Sequence, residues 1–153
     1  MSHRLLPVAA AIAVAGALAG TAAARLTKVE YLAKLHTADA VSSRADNAAL
    51  AALQSKRTTA DQLKAAFYAM GRTHVRIGKE FAAIDPPRAA TKANRDFAAA
   101  EILLGRQNDA IARRLPTTKP AILTYLRSLK PPSGGKKLDH AIAELHAAGF
   151  NIH

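Results

Sequence analysis

TADQLKAAFYAMGRTHVRIGKEFAAIDPP, residues 59–87, carries the clearest periodicity in the chain. It opens on a capping box, in which the Thr59 hydroxyl can accept from the amide of Gln62 while the Gln62 side chain reaches back to the amide of Thr59. Leu63, Phe67, Met70, His74, Ile77, Phe81 and Ile84 then recur at alternating spacings of four and three. That is one continuous helical face, the kind of seam that packs antiparallel helices side by side. Gly71 and Gly78 each follow a seam position, a heptad apart, where they can admit a close helical neighbour. Asp85-Pro86-Pro87 ends the helix, since the residue before a proline is pushed away from helical angles.

The flanking sequence repeats the device. Thr27-Lys28-Val29-Glu30 is a second capping box and predicts a helix running to Gln54, with a turn at Ser55-Lys56-Arg57-Thr58. After the prolines, residues 88–115 predict a third helix with Ala93, Phe97, Ala100, Leu104, Gln107 or Asn108, and Ile111 inward, stopped by Pro116. Residues 121–129 predict a short helix, Pro131-Pro132-Ser133-Gly134-Gly135 a break, and Leu138, Ile142 and Leu145 a renewed apolar stripe. Gly149 followed by Phe150 fits a Schellman ending with Phe150 folded back on the last turn. Alanine dominates and β-branched residues never cluster, so the expected fold is all-α: an up-down four-helix bundle whose fourth member is broken at a Pro-Gly hinge.

The chain's start concerns address rather than fold. Met1-Ser2-His3-Arg4 is a short cationic segment, residues 5–20 carry no charge, and Ala22-Ala23-Ala24 supplies the small-residue pattern signal peptidase accepts. Residues 1–24 therefore read as a secretory signal peptide cleaved before Arg25, and residues 25–153 as one helical domain. The alternative is an uncleaved anchor. Against it stand Pro7, Gly16, Gly20 and an Ala-rich run shorter than the ~20 strongly apolar residues of a spanning helix. Thr21 stands where lipidation would need Cys.

The formal net charge is +11, from 22 Lys and Arg against 11 Asp and Glu, and loss of Arg4 with the signal segment removes one unit of it. Such an excess favours anionic partners, and export turns the expectation away from nucleic acid and toward an anionic envelope polymer or lipid. The chain has no Cys, which excludes disulfides, thiolate metal sites, c-type haem attachment and cysteine catalysis. With no Trp and few aromatics, it also lacks the stacking platforms of a sugar-binding cleft.

His74 is the residue to examine first for chemistry, because it sits centrally on the apolar seam and a buried imidazole needs hydrogen-bond partners. The first helix offers Asp39 and Asp46 with Ser42 between them, and the third offers Gln107 and Asn108. A polar core of Asp39, Ser42, Asp46, His74 and Gln107 is expected, with Asp39 or Asp46 as the partner of His74. Met70 and His74 lie on one face of one helix and cannot clamp two sides of a porphyrin, so a second haem ligand would have to be His36 or His146. His140 and Glu144, four apart, read as an exposed pair rather than a metal site, with His146 off their face. Ser133-Gly134-Gly135-Lys136-Lys137 lacks the spacing and the preceding strand of a phosphate-binding loop. No catalytic constellation, metal set or cofactor is assigned.

The basic residues are ordered. Arg72, Arg76 and Lys79 on the second helix, and Arg88, Lys92, Arg95, Arg106 and Arg113 on the third, project opposite the apolar seams. Antiparallel neighbours would present them as one polyanion-binding face.

Leu26-Thr27-Lys28-Val29-Glu30-Tyr31-Leu32-Ala33-Lys34, followed by Ala38-Asp39-Ala40-Val41-Ser42, resembles the opening of a family of uncharacterised secreted or lipid-anchored helical proteins common in actinobacteria. Members begin with a Lys-x-Glu-aromatic segment and an Ala-Asp-Ala-Ile-Cys-like segment and end in a Gly-aromatic/aliphatic-x-x-Cys tail. Ser42 stands where the first of those cysteines would fall, and Gly149-Phe150-Asn151-Ile152-His153 resembles the tail without its Cys. The resemblance implies export and helices, transfers no activity, and leaves any family disulfide absent here. The expected function is that of an exported, non-enzymatic envelope protein acting through its basic face; the alternative is a small-ligand, haem or metal binder using the polar core.

Overall fold

Capping chemistry sets where the first two helices begin. Thr27 Oγ1 accepts from the Glu30 amide at 3.3 Å while Glu30 Oε2 accepts from the Thr27 amide at 2.8 Å. Thr59 and Gln62 repeat the exchange at 3.2 and 2.9 Å. Each box satisfies amides that no intrahelical carbonyl can reach. The computed structural model describes residues 24–152; the predicted signal segment through Ala23, and His153, lie outside the described residues. The described chain is all-helical, with five α-helices: α1 (Lys28–Gln54), α2 (Ala60–Ala82), α3 (Thr91–Arg114), α4 (Lys119–Ser128) and α5 (Ser133–Ala147). The expected start of the third helix is corrected, since Arg88–Ala90 form a separate 3-10 turn after Pro87.

α2 and α3 make the closest pair. A Cβ added at Gly105 would lie 2.5 Å from the Gly71 carbonyl oxygen and 2.8 Å from the Val75 nitrogen, and one at Gly78 would lie 2.6 Å from the Ala98 carbonyl oxygen. Real side chains never sit that near backbone atoms, so the two helices meet backbone to backbone because glycine stands at the crossings. Gly71 against Gly105 and Gly78 against Ala98 also fix the pair as antiparallel. The role expected of Gly71 and Gly78 is met, with Gly105 as a partner that the sequence had not marked.

α3 is the central helix, holding α2 on one side and α5 on the other, and α1 packs on α2. One core cluster gathers Tyr31 and Leu35 of α1, Ile77 and Phe81 of α2, Phe97 of α3, Leu145 of α5 and Phe150 beyond it. Tyr31 meets Phe150 and Phe81 edge to face at centroid distances of 5.3 and 6.1 Å, and Phe81 meets Phe97 at 4.9 Å. Such pairs add about 0.5–1.5 kcal/mol each beyond their buried area. Phe150 arrives there through the predicted Schellman ending. Gly149 takes φ +83°, and the amides of Phe150 and Gly149 donate to Leu145 and His146 carbonyls, both at 2.9 Å. The Tyr31 hydroxyl, whose pKa burial raises, donates to Asn94 Oδ1 at 3.0 Å, and Asn94 Nδ2 donates to the Phe81 carbonyl at 2.9 Å. A second cluster at the other end seats Ile122 of α4 on Leu63 and Leu115.

The break before α5 also differs from expectation. Pro131 and Pro132 interrupt the helix, but Ser133, Gly134 and Gly135 already form the first turn of α5. Gly134 lies against the α3 backbone, where an added Cβ would stand 2.6 Å from the Leu104 nitrogen. Gln107 of α3 accepts from the Gly134 amide at 2.8 Å and donates to Ser133 Oγ at 2.8 Å. A side chain from a neighbouring helix thus does the capping that the local sequence does not.

Candidate functional site

The seam of α2 delivers His74 to the centre of the molecule, where α1 and α3 each bring a carboxylate to it. His74 Nδ1 lies 2.6 Å from Glu101 Oε2 and His74 Nε2 lies 3.0 Å from Asp46 Oδ1. The His74 and Glu101 side chains are 2% and 3% exposed, whereas Asp46 is 49% exposed. Burial alone would pull the imidazole pKa down. Hydrogen bonds and charge from Asp46 and Glu101 outweigh it and push His74 up to about 9. At neutral pH the ring is an imidazolium with both N–H groups donating, so one cation serves two carboxylates and joins three helices.

This arrangement corrects part of the expected polar core. Asp46 is a partner of His74, as one of the two alternatives had it. Asp39 is exposed and makes no bond to the ring; it stands on the wall of the cleft beside it. Ser42 Oγ donates to the Asp39 carbonyl at 3.0 Å and so is committed to its own helix. Gln107 is the α5 cap rather than a core partner. Asn108 is buried.

Glu101 is the residue that sequence reasoning missed. It lies four residues after Phe97, on the same helical face, and that spacing is the signal that would have found it. A single-seam reading of α3 passes over it because α3 is packed on two sides. Its buried set therefore runs wider than one stripe and includes Asn94, Ala98, Glu101 and Gly105.

A cleft of about 180 Å³ reaches this cluster between α1 and α5, with Ser42, Ser43 and Asp46 on one wall and Leu138 and Ile142 on the other. Its chemistry is limited by the hydrogen bonds already made. Both ring nitrogens of His74 face carboxylates, so the imidazolium has no lone pair with which to take a nucleophile's proton or to ligate iron or another metal. No group of three or more His, Asp or Glu side chains among the described residues is arranged to hold a metal ion. His140 is exposed and 3.6 Å from Glu144, but Glu144 also bonds Lys92 of α3, so the expected exposed pair is part of an interhelical contact. His146 Nε2 accepts from the Ile152 amide at 3.2 Å.

All eight residues of the expected basic face are exposed. Three have acidic neighbours: Arg76 with Glu80 at 3.3 Å, Lys92 with Asp96 at 2.8 Å and with Glu144, and Arg95 with Asp96 at 3.8 Å. Arg72, Lys79, Arg88, Arg106 and Arg113 have no carboxylate within ion-pair distance among the described residues. Arg72 and Lys79 line a shallow groove between α2 and α3, beside Asp109.

Comparison with known protein families, curated proteins and solved structures finds no match for this chain. Among the described residues no helix is long and apolar enough to cross a membrane.

Proposed function

We propose that this is an exported, non-enzymatic helical protein that binds anionic components of the cell envelope through the outer face of α2 and α3. The observation that carries the reading is the set of exposed cations Arg72, Lys79, Arg88, Arg106 and Arg113, none of which forms an ion pair among the described residues. Arg72 and Lys79 stand seven residues apart on α2 and Arg106 and Arg113 seven apart on α3, so each helix contributes a stripe. A phosphate-rich polymer or lipid surface would be attracted by their summed field and would not first have to displace an internal partner. The non-enzymatic part is supported by the saturation of His74, the one buried imidazole among the described residues, by Asp46 and Glu101.

Export rests on residues 1–24 and on the resemblance to secreted actinobacterial helical proteins. The secreted form should begin at or near Arg25, which its mass would show; recovery of the intact chain in membranes would refute it. In the same reading α4 and α5 together stand for the fourth member of an up-down bundle, interrupted at Pro131-Pro132.

Cosedimentation with phosphatidylglycerol vesicles tests the binding. It should weaken steeply as salt shortens the screening length to ~8 Å near physiological ionic strength. Arg106→Glu with Arg113→Glu should abolish it at that salt. Binding indifferent to both would reduce the basic face to a solubility feature. The rival reading, a small ligand in the cleft beside Asp46, draws its support from that cleft reaching a buried charge cluster.

A further inference from the structure

The α1–α2 interface is open where the α2–α3 interface is shut. Tyr31 and Leu35 of α1 enter the core, α1 has no glycine to let the backbones approach, and it presents Ala33, Lys34, Thr37, Ala38 and Val41 to the gap. What remains is a groove of about 280 Å³. Val41 on α1, Ile77 and Phe81 on α2 and Ile84 just after it form its apolar floor. Lys34 of α1 and Arg76 of α2 line it from opposite sides, and Glu80 is the one carboxylate at its rim. Glu80 holds Arg76 at 3.3 Å, but both side chains are more than half exposed, and such pairs contribute only ~0–1 kcal/mol and exchange readily. Lys34 has no ion pair among the described residues.

We propose that this groove binds one alkyl chain of a fatty-acid-type carboxylate, with the carboxylate held between Lys34 and Arg76. Size and charge together select that occupant. The volume lies just below the about 300–1,000 Å³ of sites that enclose drug-sized ligands, which suits a single chain and excludes bulky ring systems. The Thr37 hydroxyl of the lining has its proton spent on the Ala33 carbonyl at 2.8 Å, so it offers a polar ligand no donor. The two rim cations supply an anchor for an anion and repel a cationic head of the same length. Arg76 also lines the groove of Arg72 and Lys79, whereas Arg106 and Arg113 line neither, so the two bindings are told apart at Arg106 and Arg113.

Isothermal titration of the full chain with decanoate, below its micellar concentration, tests the proposal, with acetate and decyltrimethylammonium as the chainless and cationic comparisons. Saturable one-site binding of decanoate is expected, with none of acetate and at least about tenfold weaker binding of the cation. Lys34→Glu should weaken decanoate by about tenfold, and Ala33→Trp, which sets an indole across the groove from an exposed position, should abolish it. Circular dichroism and melting verify that both variants fold; should Ala33→Trp not fold, Lys34→Glu with the amide shifts of Val41 and Ile77 on decanoate addition decides. Absence of saturable binding, equal binding of the cationic amphiphile, binding unchanged in the folded variants, or shifts confined to other residues would overturn the assignment. Arg106→Glu with Arg113→Glu should leave decanoate binding as it was.

Discussion

α2 and α3 meet backbone to backbone, whereas α1 is joined to both of them by side chains. At the α2–α3 crossings Gly71, Gly78 and Gly105 bring backbone onto backbone, on either side of the buried His74–Glu101 contact. α1 is tied in by side chains: Tyr31 reaches Asn94 of α3 across the core, and His74 of α2 holds Asp46 of α1 and Glu101 of α3 at once. Close packing of the first kind is indifferent to pH and intolerant of added volume. Joining of the second kind depends on protonation and leaves space, which here appears as the cleft beside Asp46 and the groove behind Lys34. The molecule thus carries its basic stripes on a pair of helices packed backbone to backbone, and two of its hollows lie along α1.

The largest effect expected from breaking this contrast is at His74. Replacing it with Leu strands the buried Glu101 carboxylate without a cation and should cost about 3–5 kcal/mol in urea unfolding. His74→Leu with Glu101→Leu removes both charges and should recover most of that loss. Equal destabilisation by the single and double changes would mean that shape, not charge, holds the three helices there.

Gly105→Ala comes next, at about 1–3 kcal/mol, because the new methyl would meet the Gly71 carbonyl and the Val75 amide, and backbone cannot turn aside. Gly135, also helical but with open space around it, is the control: Gly135→Ala should stabilise by up to about 1 kcal/mol through helix propensity. Destabilisation at both positions would remove the argument for a close crossing.

A graded effect is expected from pH. The folded pKa of His74 is raised from 6.5 to about 9, so the stabilisation it confers is fully present below about pH 6.5 and is lost as pH rises toward 9. Melting temperature should fall across that window in the parent protein and stay flat in the His74→Leu/Glu101→Leu protein. A flat parent profile would show that the ring is not an imidazolium.

Smallest of all should be the stability effect of charge reversal on the outer face. Arg106→Glu with Arg113→Glu should stay within about 0.5 kcal/mol of the parent, since both side chains are exposed and without internal partners.

Local chemistry made much of the fold legible in advance. The two capping boxes, the α2 seam, the paired glycines of α2 and the Schellman ending at Gly149 each depend on residues close in sequence, and each stands as expected. Features that need a neighbouring helix were less accessible. Gln107 reads as a core amide until Gly134 is known to lie against α3, and the Ser133-Gly134-Gly135 stretch reads as a hinge until that cap completes the first turn of α5. Glu101 was hidden for a related reason: a helix packed on two sides has no single stripe to read. Asp46 could be proposed for His74 but not separated from Asp39, because choosing between them requires the register of α1 against α2.

Amide shift mapping during titration with inorganic polyphosphate, an anion with no alkyl chain, tests the central claim most directly. The account predicts shifts concentrated at Arg72, Lys79, Arg106, Arg113 and their neighbours, fading as salt is raised, with Ser42, Asp46 and His74 unmoved. Shifts centred on the cleft beside Asp46, or none at all, would contradict it.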